Sequence, residues 1–204
     1  MARLTRAESQ ARTRELLLAT ARRLFLRDGY HATSLEKVAE AAGFSKGAVY
    51  SNFGTKDELC QAVIDAVRAE QVALITQAFL GEGSDEDRLA VFTGWAERTI
   101  GDPGWTLLEA EFAIHAARRD PALRERVAGG GRHWSKALRL LLEEEARRRG
   151  VALPLPAAEL ADALLSLGVG LGIRRAIDPG LSPRALPDTV RLLLDAATGP
   201  PDEG

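Results

Sequence analysis

The chain of 204 residues has a single cysteine, Cys60, so no disulfide can form within it, and a lone thiol suits a reducing compartment. No apolar run approaches the ~18 residues that a membrane-spanning helix needs. The opening stretch, MARLTRAESQARTRELLLAT, lacks the apolar core of a secretory signal. These absences lead us to expect a cytoplasmic protein with no membrane partner. Histidine is also scarce: His31, His115 and His133 have no metal-ligand spacing to one another or to Cys60, so no metal site is expected. Neither a phosphate-cradling glycine loop nor a nucleophile elbow occurs. An enzyme is therefore disfavoured, and neither catalytic residues nor a cofactor are expected.

What is present is ordinary in bulk and uneven in detail. Hydrophobic residues make up 46% and charged residues 27%, the composition of a globular chain able to bury a core in one large or two small domains. The net charge of −2 hides an asymmetry. Residues 1–56 hold ten Lys or Arg and five Asp or Glu, which leaves 17 basic and 24 acidic residues, of totals 27 and 29, for the remainder. A basic segment on an acidic body fits a module that meets a polyanion on one side only.

That basic segment contains the stretch TSLEKVAEAAGFSKGAVYSNFGTK, from Thr33 to Lys56. Thr33 or Ser34 starts a short helix in capping-box spacing with Glu36. Val38, Ala39 and Ala42 give it a narrow apolar stripe. Gly43 supplies the left-handed residue at its end. Ser45 caps a second helix, Lys46 to Phe53, which Val49 and Phe53 anchor inward at i and i+4. Helix, glycine turn and helix form a helix-turn-helix over residues 34–53, whose second helix lies in the DNA major groove. Gly47 and Ala48 remove bulk for a close approach, and Lys46, Tyr50, Ser51 and Asn52 are hydrogen-bond donors. A further capping box, Thr55 to Glu58, starts the next helix and places Lys56 in its first turn, where a nearby anion would offset its conflict with the helix dipole.

The run LFLRDGYHATSLEKVAEAAGFSKGAVYSNFGTKDEL resembles the DNA-binding domain of the tetracycline-repressor (TetR/AcrR) family. The matching features are Leu24-Phe25, Gly29-Tyr30, Thr33-Ser34, the segment Ala41 to Ser45, Gly47, Val49-Tyr50, Asn52-Phe53 and Lys56 to Leu59. They cover roughly the first third of the chain. The resemblance implies an all-α fold of about nine helices: a three-helix head, a long connecting helix, and a helical body that binds a small effector and dimerises through its last two helices.

The chain in order fits that plan. Residues 1–12 read as a mobile basic arm and residues 13–56 as the DNA-binding head. Thr13 to Asp28 forms the first helix, with Leu17, Ala21, Leu24 and Phe25 on one face and Gly29 ending it. Lys56 to about Leu80 is a long strut along Leu59, Val63, Val67 and Leu74. Residues 57–198 make up the body. Ser84 caps a helix with Leu89, Phe92, Ala96 and Ile100 inward; Gly101 to Gly104 turns; Trp105 to Arg118 and Asp120-Pro121 onward give two more helices, the second bent or broken at Gly129-Gly130-Gly131. Three glycines there cost on the order of 1 kcal/mol each. Leu165 to Ile173 alternates large and small residues, a strand signal, but its helical flanks and the absence of a partner strand favour a helix over Pro156 to Asp178. Pro187 starts the last helix, lined by Leu186, Val190, Leu193, Leu194 and Ala197, and residues 199–204 form a disordered tail.

The expected function is a ligand-responsive dimeric repressor, released from a pseudo-palindromic operator by a small, largely apolar effector. Two recognition helices about 34–36 Å apart would face successive major grooves of double-stranded DNA. Ser34, Tyr50 and Lys56 are expected on phosphates, Lys46 and Asn52 on base edges, Gly47 at the close approach and Ala48 against a thymine methyl. The effector is expected among Phe92, Trp95, Trp105, Glu109, Phe112, His115 and Trp134, an apolar set with a few polar groups. Aromatics at helical spacing describe plain core equally well. The alternative function is an architectural DNA-binding protein without an effector.

Overall fold

The computed structural model describes residues 5–196. Among them are nine helices and no strand: α1 Arg6–Ala32, α2 Leu35–Ala42, α3 Lys46–Phe53, α4 Lys56–Leu80, α5 Asp85–Gly101, α6 Pro103–Arg119, α7 Pro121–Arg149, α8 Ala157–Ile177 and α9 Ala185–Ala196. The expected all-α class and the helix over the large–small alternation of Leu165 to Ile173 both hold. The tail expected at 199–204 and Ala197 of the last stripe lie outside the described residues, as do the first four residues of the expected arm.

Several expected boundaries shift, each for a local reason. The rest of the arm is not an arm: α1 begins at Arg6, and Thr5 and Glu8 form a reciprocal capping box that satisfies its first orphan N–H groups. Ser34 rather than Thr33 caps α2, accepting from the Lys37 N–H, while the Thr33 hydroxyl donates to the Gly29 carbonyl at 2.9 Å. Residues 121–149 form one continuous helix, so Gly129 to Gly131 do not break it. Its start is as expected, with the Asp120 carboxylate accepting from the Leu123 N–H at 2.8 Å. Helix α6 begins at Pro103 and α9 at Ala185, two residues before the positions expected; Pro103 and Pro187 fall in first turns, where a missing N–H costs no helical bond. In α4, Ile75 is buried and Leu74 is 47% exposed, so the inward stripe shifts by one residue.

The chain divides into two compact units, which do not follow the expected split at residue 56. One comprises residues up to Val67 together with Leu108–Arg124; the other comprises Arg68–Leu107 and the residues from Glu125 onward. Helices α4, α6 and α7 each pass without interruption from one unit's residues into the other's.

The first unit buries Leu17, Ala21, Leu24 and Phe25 of α1, Val38 of α2, Val49 and Phe53 of α3, Leu59 and Val63 of α4, and Leu108, Phe112 and Ala116 of α6. Full burial of the leucine, valine and phenylalanine side chains contributes about 1.5–3 kcal/mol each before the entropy of ordering is set against it. Near the end of α1 the backbone leaves helical geometry at Gly29, with φ of 80° and ψ of 174°. A side chain there would meet the Glu111 carboxylate at 2.8 Å, and the same carboxylate accepts from the Tyr30 N–H at 2.7 Å. Glycine is the residue that this close approach and positive φ allow.

The second unit has its core in Ile75, Phe79, Leu89, Phe92, Trp95, Leu141, Leu142, Leu160, Leu164, Leu171, Leu186, Val190 and Leu194. Where α6 meets α8, Gly172 lies so close to Thr106 that an added Cβ would stand 2.4 Å from the threonine Oγ1. The carboxylate of Glu145, 2% exposed, accepts from Arg148 and, at 2.6 Å, from Arg149 Nε, with Arg88 Nε at 3.9 Å. Arg88 also pairs with Asp85, and Arg148 donates to the Phe79 carbonyl at 3.0 Å. This network ties the start of α5 to the end of α7.

Candidate nucleic-acid interface

Helix α3 is short because its sequence caps it at both ends. Ser45 accepts from the Ala48 N–H at 3.2 Å, and the Gly54 N–H returns to the Tyr50 carbonyl at 2.9 Å. The preceding turn closes at Gly43, whose φ of 72° is left-handed, with the Phe44 N–H donating to the Ala39 carbonyl at 3.0 Å. Only Val49 and Phe53 of α3 are buried. Its other side is open: Lys46, Gly47, Tyr50 and Ser51 are exposed, with Ala48 and Asn52 half-buried.

The expected contact residues are brought together here, but several are engaged within the protein. The Lys46 ammonium forms an ion pair with Glu36 of α2 and sits 5.8 Å above the Tyr50 ring. That pair holds the Glu36 carboxyl at a pKa of about 2, chiefly through the hydrogen bond from Lys46. The Asn52 side-chain amide and the Ser51 hydroxyl both donate to the Ala48 carbonyl, at 2.8 and 3.0 Å. Ser34 spends its oxygen as an acceptor in the α2 cap, and its O–H donates to the Glu36 carboxylate. Lys56 is turned inward: Nζ lies 4.2 Å over the Tyr30 ring and donates to the His31 carbonyl at 3.3 Å, and its burial lowers its pKa.

Beside α3 lies a polar groove of about 700 Å³, with Thr5, the N-cap of α1, and Ser9 and Thr13 of that helix on one side and Ser51 and Asn52 of α3 on the other. These α1 residues were missed as possible interface residues. The Thr5–Glu8 capping box was the signal that could have extended the helix to reach them.

Behind the interface, the Tyr30 hydroxyl donates to the Asp57 carboxylate and lies 3.0 Å from His115 Nε2. Burial and the Asp57 carboxylate both push the Tyr30 phenol pKa up. His115 and Phe112, expected at an effector site, pack on Tyr30 with ring centroids 4.6 and 5.3 Å away. They belong to the first unit, as does Glu109. Phe92, Trp95 and Trp134 join the second unit's core, where Phe92 and Trp95 stack at 5.4 Å and the Trp95 indole N–H donates to Gln71. Trp105, in the second unit, is half-buried. The seven residues expected around one ligand are thus divided between two units.

Residues 17–63, which span the buried face of α1, both short helices and the start of α4, match the model of the bacterial regulatory proteins of the tetR family. Over these residues the chain is similar to the tetR family. The regulator TtgR of Pseudomonas putida is 40% identical over 67 residues, which cover 33% of this chain and 31% of TtgR. The repressor BepR of Brucella suis is 37% identical over 76 residues, 37% of this chain and 36% of BepR. The alignments therefore take in about a third of these relatives' length. The fold extends further than the sequence likeness. The fatty acid degradation regulator FadR from Bacillus halodurans superimposes with a TM-score of 0.70 over 89% of this chain and 94% of that one, at 17% identity. TtgR is named a transcriptional regulator and BepR a transcriptional repressor.

Proposed function

We propose that the protein is a dimeric transcriptional repressor that binds a pseudo-palindromic operator through α3 and releases it when a small effector binds. The observation that carries this reading is the open side of α3: a doubly capped eight-residue helix that presents Lys46, Gly47, Ala48, Tyr50 and Asn52 outward. Tyr50 and Ser34 hold phosphates and so fix register. Lys46 reads guanine and Asn52 adenine once each gives up its internal partner, and Ala48 takes a thymine methyl. Lys56 reaches a phosphate by leaving the His31 carbonyl.

The dimer forms through α8 and α9, where Val169, Ile177 and Leu192 are 38, 83 and 68% exposed, an apolar surface that a second copy would cover. The effector is small and largely apolar and is taken by the second unit beside Phe92, Trp95 and Trp134, whose aromatic surface suits such a compound. It acts only through unequal affinity for the DNA-competent and DNA-incompetent states. A coupling of about 1–3 kcal/mol loosens operator binding roughly 5–150-fold.

Footprinting of the full-length protein on DNA flanking its own gene tests the reading. Protection of two half-sites about one helical turn apart is expected. Loss of protection with retained fold is expected for Lys46→Ala combined with Asn52→Ala. A wild-type protein that protects no DNA at low salt would overturn the proposal. A thermal-shift panel of apolar metabolites tests the effector: a stabilising compound that also erases the footprint supports it, and stabilisation with an unchanged footprint refutes the release step.

A further inference from the structure

Helix α3 is a light element held at two ends. At its start the Lys46–Glu36 pair is exposed, with 58 and 53% of the two side chains accessible, so it breaks at little cost when DNA claims the lysine. At its end the fixing is of another kind. Arg14, one turn before the buried face of α1, donates from Nη1 to the Asn52 carbonyl at 2.7 Å. The carbon at the centre of its guanidinium stands 4.2 Å above the centroid of the Phe53 ring. One planar cation therefore satisfies a carbonyl in the last turn of α3, where no helical donor reaches, and covers the aromatic that anchors the helix. Its charge also meets the negative end of the α3 dipole.

Arg14 lies next along α1 from Thr13, which lines the polar groove, and its hydrogen bond ends on Asn52, which lines the opposite side. Asn52 is thus gripped through its backbone by Arg14, while its side chain is the group expected to read a base. We propose that Arg14 is a positioning residue for operator recognition: it fixes the orientation of α3 on α1, and it acts through that helix rather than by neutralising a DNA phosphate. The proposal rests on the DNA-binding reading above. It departs from the usual role of an exposed arginine in a basic head, because one arm of the fork is given to a carbonyl and its face lies over a ring.

The two roles leave different marks on salt dependence. A phosphate contact contributes close to one counterion, so its loss reduces the slope of log K against log salt by about 0.9. A positioning contact alters no ion count. The experiment measures affinity of the full-length wild type, Arg14→Met and Arg14→Lys for a footprinted operator and for unrelated DNA, across a salt series. We expect Arg14→Met to weaken operator binding by about tenfold or more, the scale of a lost charged hydrogen bond. The salt slope should be unchanged and binding to unrelated DNA nearly so. Arg14→Lys keeps the charge, but one ammonium cannot both lie over the ring and reach the carbonyl in the arginine's geometry, so it should recover only part of the loss.

Hydrogen exchange should be faster at the Gly54 amide in Arg14→Met, with α1 and α2 unaltered. If Arg14→Met unfolds the head, the Arg14→Lys measurement carries the test with the same expectations. A slope lowered by about one, fully restored by lysine, makes Arg14 a phosphate contact and overturns the proposal. Equal operator affinity of wild type and the folded variant overturns it too. A wild type that binds no DNA removes the DNA-binding reading itself and this inference with it, whereas a binding wild type confines any failure to Arg14.

Discussion

Replacing Gly172 by alanine sets two effects of opposite sign against each other. In a helix interior alanine is favoured over glycine by about 0.8–1.0 kcal/mol. Against this, the new Cβ in α8 would stand 2.4 Å from Oγ1, 2.9 Å from Cγ2 and 2.9 Å from Cβ of Thr106. Rotation about χ1 moves the first two atoms, but the threonine Cβ is fixed to the α6 backbone, so the helices themselves must separate. Overpacking of this kind costs typically about 1–3 kcal/mol, and backbone displacement belongs at the upper end. The clash wins, with a net loss of about 1–2 kcal/mol and a fall in Tm of a few degrees for a chain of this size. Gly131 in α7 is the control. A Cβ there meets nothing within 4 Å, so Gly131→Ala keeps the propensity gain alone and raises stability by up to about 1 kcal/mol. All three tryptophans, Trp95, Trp105 and Trp134, lie in the second unit, so their fluorescence in a urea titration follows this unit's unfolding. A Gly172→Ala midpoint at or above wild type, with unchanged slope, would refute the claim that this crossing is closed to a methyl group.

Glu145→Ala leaves Arg88 and Arg149, whose side chains are only 10 and 13% exposed, without their shared carboxylate; a loss of about 3 kcal/mol is expected, and an unmoved urea midpoint contradicts it. The Tyr30 phenol has its pKa raised in the folded state, so the unfolded chain releases that proton first and Tyr30's contribution to stability fades as pH rises through about 10. Tyr30→Phe should flatten this alkaline decline in denaturation midpoints between pH 8 and 11, and an equal slope in both proteins argues against it. Cys60 is fully buried and its thiol pKa is pushed up by desolvation, so a thiol reagent at pH 8 should label it only as fast as the head opens. Stoichiometric labelling of the native protein within seconds would be inconsistent with that burial.

The head was legible because its information is local. Ser34, Gly43 and Ser45 act on N–H and carbonyl groups within a few residues, so spacing alone located both short helices and the turn between them. The start of α1 was also local, in Thr5 and Glu8, but Arg6 to Arg12 have no apolar stripe and are all exposed, so periodicity was silent. Continuity of α7 through three glycines was not legible, since helix propensity opposes it. The inward turn of Lys56 depends on Tyr30 and His31, some 25 residues away in sequence. Division of the aromatics between two units depends on contacts that helical spacing cannot encode: Phe112 and Glu109 share a helix with Trp105 yet fall on the other side of a boundary inside α6. Glu111, which holds the Tyr30 N–H, was passed over in favour of Glu109 because nothing in sequence links it to a residue 81 positions earlier.

The Glu111 carboxylate closing on Gly29 and Tyr30 has a practical consequence for anyone cutting or grafting this protein. The first unit is not the N-terminal third of the polypeptide alone; it is completed by a second strip of chain, Leu108–Arg124, contributing Leu108, Phe112, Ala116 and Leu123, all at most 1% exposed. A fragment ending near Val67 would bare the surfaces that this strip covers and leave the Tyr30 amide without its acceptor. A chimaera that exchanges heads between relatives therefore has to carry both pieces, or choose a recipient whose own strip bears a carboxylate at the place of Glu111 and a flat ring at the place of Phe112.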